Sequence, residues 1–216
     1  MKASRKAAEY VTGRPDLMVI ADRIAPQSRV LDLGCGDGLL LRYLKDTKNI
    51  RPLGIEIDQD SIIRCIANGI PVIHGDLNQR LGYIQDNSFD CVILSCTLQE
   101  MVYPHELLSE MMRIGGRAVV GVINFGFIGT RLQLLLTGRM PISKTLPHQW
   151  YSTPNIHLGT LSDFKRLCRE LDIEVMETIP LSASGRTESL PSLWPNLLAT
   201  NCVFVIGKKM VEPSVG

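Results

Sequence analysis

The sequence predicts an α/β protein: a mostly parallel sheet sandwiched between helices. Three observations predict it. Short runs rich in Val, Ile and Leu alternate with runs of helical period. The first such strand breaks at a glycine-rich turn and resumes as an apolar helix, RVLDLGCGDGLLLRYL. The 216 residues, 45% hydrophobic and 21% charged, suit one ordinary domain with an adequate core.

The elements follow in order. A helix opens at Pro15, places Leu17, Ile20, Ala21 and Ile24 on one face and stops at Pro26; it is expected to cover one edge of the fold. Arg29 to Leu33 reads as a strand, Gly38 to about Lys45 as a helix, and Pro52 to Ile57 as a second strand with a continuous apolar core. Ser61 to Asn68 is helical and closes at Asn68-Gly69, Pro71 to His74 is a short strand, and Phe89 to Ser95 is strongly β-like. Pro104 opens a helix with Leu107, Leu108, Met111 and Met112 inward, Gly115-Gly116 ends it, and Arg117 to Ile123 follows as an apolar strand. Thr160 to Asp163 forms a capping box ahead of Leu161, Phe164, Leu167 and Leu171. Ile173 to Ile179 and Cys202 to Ile206 supply two late strands.

Two stretches interrupt the alternation. Residues 125–158 hold a helical face of Ile128, Leu132, Leu135 and Leu136, expected first to pack on its own domain and second to form an interface, and then a polar and aromatic loop, PHQWYSTPNIHL. Residues 182–199 are rich in Ser and Pro around Trp194 to Asn196. Residues 1–210 therefore read as a single domain with an inserted helix and loop at about 125–158, and 211–216 as a flexible tail.

A formal net charge of +1 leaves no footprint for nucleic acid or an anionic membrane. No apolar run approaches the roughly 20 residues needed to span a bilayer, and the basic start MKASRKAAEYV lacks a signal-peptide core, so a cytoplasmic location is expected. The six cysteines include no C-x-x-C pair and mostly sit in apolar segments, which argues for reduced thiols and against disulfides or zinc.

In open α/β sheets, ligands bind beyond the carboxyl ends of the strands, where strand order reverses. Gly34, Gly36 and Gly38, with Cys35 between the first two, fit the turn at such a site. A dinucleotide fingerprint requires G-x-G-x-x-G, but the third position is Leu39 and the third glycine arrives one residue early. Charge disfavours a pyrophosphate too, because Asp32 ends the strand and Asp37 sits inside the turn. S-adenosylmethionine inverts that requirement. Its sulfonium and α-ammonium would be offset by the carboxylates of Asp32 and, in part, Asp37. Glu56 at the end of the second strand suits both hydroxyls of an adenosine ribose, and Asp76, with the backbone of Leu77, suits the adenine amino group.

VLDLGCGDG followed by GIEID, HGDL and FDCVILSCTLQEM resembles the ordered motif set of class I S-adenosylmethionine-dependent methyltransferases, over Arg29 to about Ile123. That resemblance implies a Rossmann-like, seven-stranded, mostly parallel sheet with one antiparallel strand and helices on both faces. It places Asp32, Gly34 and Gly36 around the methionine part and Glu56 on the ribose, with Asp76 and Leu77 at the adenine; Cys35, Gly38, Ile57 and Ser95 complete the expected cofactor-binding set. RLQLLLTGRMPISKTLPHQWYSTPNIHLGTLSDFKRLCRELDI, with WPNLLAT later, resembles the methionine-biosynthesis MetW family across nearly the whole chain. The resemblance implies a partner, homoserine O-acyltransferase (acetyl- or succinyl-transferring), which such proteins would bind or activate. A true methyltransferase on a small-molecule or protein acceptor is the competing reading. Gln99 stands where a histidine often follows the fourth strand, and LSCTLQE lacks both the Asn/Asp-Pro-Pro-Tyr arrangement and a proline before Cys96, so no catalytic residue is named. His148, Trp150, Tyr151, Asn155 and His157 crowd one loop expected near the cofactor and, with Gln99, are candidates for acceptor or partner contact.

Overall fold

The computed structural model describes residues 2–143, 145–182 and 192–209. Its first element is one the sequence expectations missed: α1 (Lys2–Thr12). Ala7 and Val11, one helical turn apart, are completely buried, and Arg5 pairs with Glu9 at 2.8 Å on the opposite face. α2 (Pro15–Asp22) begins with Pro15 at its first turn, where a missing N–H costs nothing. Its last carbonyls are held by Lys48, whose Nζ donates to Ala21 O at 2.6 Å and Ile24 O at 2.7 Å.

β1 (Arg29–Leu33), α3 (Leu39–Lys48), β2 (Arg51–Glu56), α4 (Gln59–Ala67) and β3 (Val72–His74) complete one half of the sheet. β4 (Cys91–Ser95), a single 3-10 turn (Leu98–Glu100), α5 (Pro104–Gly115), β5 (Arg117–Ile123), α6 (Ile128–Thr137), α7 (Leu161–Glu170), β6 (Ile173–Leu181), α8 (Pro195–Leu198) and β7 (Asn201–Lys208) make the other. The caps expected for α7 are present: Asp163 N–H donates to Thr160 Oγ1, and Thr160 N–H donates to the Asp163 carboxylate. The seven strands lie in the order β3-β2-β1-β4-β5-β7-β6, parallel except β7, which runs antiparallel to both neighbours. This is the mixed sheet anticipated from the sequence.

Strand alternation divides the core. Leu31, Leu33, Val92, Leu94, Val120 and Phe204 face α5 and α7 on one side. Val30, Cys91, Ile93, Val119, Val203 and Val205 face α2 and α3 on the other. Asp32 shares the parity of Val30, so its carboxylate emerges on the α2 and α3 side.

Gly38 closes the turn into α3 with φ +69°, and a Cβ there would lie 2.5 Å from Cys65 Sγ and 3.3 Å from Ile70 Cβ. Its bareness makes room for the α4–β3 corner rather than for a ligand. Gly38→Ala combines a left-handed backbone with an overpacked contact, and an unfolding free energy lower by about 2–4 kcal/mol is expected in urea titrations. A loss under about 0.5 kcal/mol, the usual scale of neutral surface changes, would contradict that placement.

One expectation is corrected. The α6 stripe does not pack on its own domain: Leu132 is exposed, Leu135 and Leu136 are 78% and 79% exposed, and Thr130 is the helix's buried residue. The helix is anchored at its first turn, where Arg131 Nε donates to Gly126 O at 2.6 Å, and beyond that no described element covers it. The Ser- and Pro-rich stretch 182–199 is described only in part; 183–191 and the tail 211–216 lie outside the described residues. No helix among the described residues is long and apolar enough to cross a membrane.

Candidate functional site

β1 is flanked by β2 on one side and β4 on the other, so the chain's winding reverses there and opens a crevice beyond the strand ends. The turn after β1 is stitched to β2. Gly34 and Cys35 both donate their N–H groups to Ile55 O, at 2.9 and 3.1 Å. The Gly36 N–H donates to Glu56 Oε2 at 2.8 Å, and Glu56 Oε1 accepts from Ile57 N–H at 2.8 Å and Asp58 N–H at 3.0 Å. Gly34 and Gly36 both take positive φ, and a Cβ on Gly36 would meet nothing within 4 Å, so its open side faces the crevice.

The crevice is a cleft of about 330 Å³, with Asp32, Gly36 and Ser95 from the sheet side and Tyr10, Arg14 and Leu17 from the helical side. Asp32 is only 4% exposed, and among the described residues no donor or cation is bonded to its carboxylate. Burial, and then the charge of Glu56, push it up to about 8. An unpaired carboxylate in such a place complements a ligand bearing positive charge. Ile57, 58% exposed at the end of β2, offers apolar surface next to Glu56.

The other predicted residues fall as follows. Asp37 lines the cleft, but its charge is engaged: Arg64 Nε lies 2.6 Å away and Lys6 Nζ 4.0 Å. Cys35 lines the cleft and turns its thiol toward the core, 4.0 Å from Cys65 Sγ. Asp76 Oδ1 accepts from Asn78 N–H and Nδ2, folding its own turn, and its Oδ2 has no hydrogen bond among the described residues; Leu77 packs partly on the core. Gln99 is not open for an acceptor. Its Nε2 donates to Ile123 O at 2.9 Å, its Oε1 accepts from Ile123 N–H at 3.1 Å, and its carbonyl accepts from Ile156 and His157 N–H. It is a clamp between β5 and the long loop.

That loop is divided by the structure. His148 and Asn155 line a second cavity of about 710 Å³. Trp150 and Tyr151 stack edge to face at 5.7 Å and project into solvent, and His157 is likewise exposed. Tyr10 and Arg14 were not anticipated. Ala7, Tyr10, Val11 and Arg14 recur at helical spacing, a signal masked by the basic composition of the first residues.

The family model described as "Methionine biosynthesis protein MetW" matches residues 14–206. The "Bifunctional methionine biosynthesis protein MetXA/MetW" of Rhodopirellula baltica is 32% identical over 208 residues, which cover 92% of this chain; the chain spans about a third of that relative's length (33%). Among solved structures, an S-adenosylmethionine-dependent methyltransferase from Mesorhizobium loti superposes with TM-score 0.69 at 15% identity, over 92% of this chain and 100% of the other. One from Archaeoglobus fulgidus superposes with TM-score 0.60 at 19% identity, over 93% and 94%. At these identities the likeness is one of fold.

Proposed function

Because the chain belongs to the MetW family of methionine biosynthesis proteins, we propose that it binds S-adenosylmethionine, or S-adenosylhomocysteine, in the cleft beside Asp32 and acts as partner or activator of homoserine O-acyltransferase. One observation carries the first half: a buried carboxylate beside Glu56 that has no cationic partner among the described residues. When bound, the cofactor supplies a sulfonium whose methyl group is electrophilic. Asp32 offsets that charge and the α-ammonium. Arg14, the one cation among the described residues lining the cleft, is already paired with both oxygens of Asp16. Glu56 Oε2 keeps a lone pair for a ribose hydroxyl, both lone pairs of Oε1 being taken by the Ile57 and Asp58 N–H groups; Ile57 supports the adenine face, and Asp76 Oδ2 accepts from its amino group.

The second half draws on the bifunctional relative, whose single chain joins a MetXA part to a MetW part, and on the uncovered leucine stripe of α6. Large exposed aliphatic side chains in a row mark a contact surface. The competing reading, a methyltransferase with its own acceptor, is favoured by the second cavity, which adjoins the cleft through Arg14.

Both halves are tested with purified full-length protein. Calorimetric titration is expected to give one saturable site for S-adenosylhomocysteine, and co-precipitation is expected to retain homoserine O-acyltransferase. Leu135→Glu with Leu136→Glu should weaken that association at least tenfold without altering nucleoside affinity, since the exposed stripe makes no contribution to the cleft. Absence of saturation defeats the cofactor assignment; undiminished association of the double variant defeats the α6 surface. Transfer of a labelled methyl group to any acceptor would favour the methyltransferase reading.

A further inference from the structure

The cavity of about 710 Å³ beside the cleft has its own polar design. It lies between α2, the 3-10 turn after β4, the loop at 145–155 and the ends of β6 and β7. Asn155 is 8% exposed, lines this cavity, and its Oδ1 is buried with no hydrogen-bond partner. A buried amide oxygen without a donor costs about 1–3 kcal/mol, so it points to a ligand that brings one. Glu100 also lines the cavity, and its carboxylate has no hydrogen bond or ion pair with any described residue. Burial raises its affinity for a proton, as does the charge of Glu56, while His148 acts in the opposite sense.

Arg14 does not serve as the missing cation. Its Nε and Nη2 are held by the two oxygens of Asp16 at 2.9 and 2.6 Å, a bidentate pair that leaves the arginine neutralised. Among the described lining residues, Arg14 offsets Asp16, which leaves the Glu100 carboxylate without an arginine or lysine to balance it. A metal ion is a poor fit, because no group of three His, Cys, Asp or Glu side chains among the described residues is placed to hold one. The vacant positions are acceptors, and an ammonium offers three donors and no acceptor. Ile123 and Leu181 add apolar wall for a short aliphatic body.

We propose that this cavity is a second ligand site, taking a small primary ammonium compound whose charged nitrogen is held by Glu100 and Asn155. The site requires neither nucleoside nor protein partner, so its test stands apart from theirs. Three probes of equal length differ only at one end: 5-amino-1-pentanol, 1,5-pentanediol and 5-hydroxypentanoate. Each is titrated into the isotopically labelled full-length protein without nucleoside, and the amide resonances of Cys96, Glu100 and Asn155, including the Asn155 side chain, are followed by NMR.

The amine is expected to shift these signals saturably and to bind at least tenfold more tightly than the diol, with no saturable shift from the acid. Glu100→Gln, an isosteric change on a partly exposed turn, should lower amine affinity at least tenfold and leave the diol unchanged. Equal response to all three probes, no response at these residues, or amine binding unaffected by Glu100→Gln would each overturn the assignment.

Discussion

Asp32→Asn is expected to weaken S-adenosylmethionine binding about a hundredfold at pH 8 and, at the same pH, to make the unliganded protein more stable. Both effects come from one buried carboxylate. In the folded chain it titrates near 8, against about 3.8 when exposed, chiefly because burial disfavours its charge. A folded-state value above the unfolded one means that the protein is most stable with respect to this group below pH 4. That stability is lost as pH rises through 8. Each unit is worth about 1.4 kcal/mol, so the wild type is handicapped by a few kcal/mol above pH 8, after allowance for relaxation. Asparagine does not titrate, and its stability should be flat across that window. The ligand's cation, in contrast, wants the ionised form. Wild-type affinity should climb roughly tenfold per pH unit up to pH 8, with release of about one proton on binding at pH 7. Calorimetry in two buffers of different ionisation enthalpy measures that proton, and urea unfolding at pH 5 and 8.5 measures the stability. A variant that binds as tightly as wild type, or is less stable at pH 8.5, would sink the cationic cleft.

Glu56→Ala should lower nucleoside affinity by more than a hundredfold, and Glu56→Gln by about tenfold. A hydrogen bond to a charged group contributes about 1.5–3 kcal/mol, and at least one ribose hydroxyl is at stake. The structure adds a second loss. Three backbone N–H groups, from Gly36, Ile57 and Asp58, are left without their acceptor, so the glycine turn comes loose from β2 as well. Glutamine retains one carbonyl oxygen and part of that stitching. Amide hydrogen exchange separates the two contributions: Gly36, Ile57 and Asp58 should exchange faster in the alanine variant even without ligand. Unchanged affinity together with unchanged exchange would remove Glu56 from the site.

The parts of this molecule that sequence revealed are those encoded over short distances. The turn from Gly34 to Gly38 follows its own strand directly, and Thr160 with Asp163 caps its own helix, so residue type and spacing suffice. Matters decided between distant segments were less legible. The apolar spacing of Leu132, Leu135 and Leu136 defines a helical face but not what covers it, and nothing described does. Gln99 gave no sign that both ends of its amide would be taken by Ile123, more than twenty residues on. Asp37 looked like a charge for the ligand until the fold brought Arg64 to it. Arg14 matters through a cleft it shares with Asp32 and Ser95, far along the chain, which composition and period do not record.

The parity of β1 has one more consequence. Sliding this strand by a single residue against β2 or β4 would carry Leu33 to the water-facing crevice and drive a carboxylate into the oily layer beneath α5. Misthreaded versions of the sheet are thus penalised by the same acidic group that, in the correct alignment, opens on the cleft. One side chain both lines a crevice and selects the register of the strand that carries it.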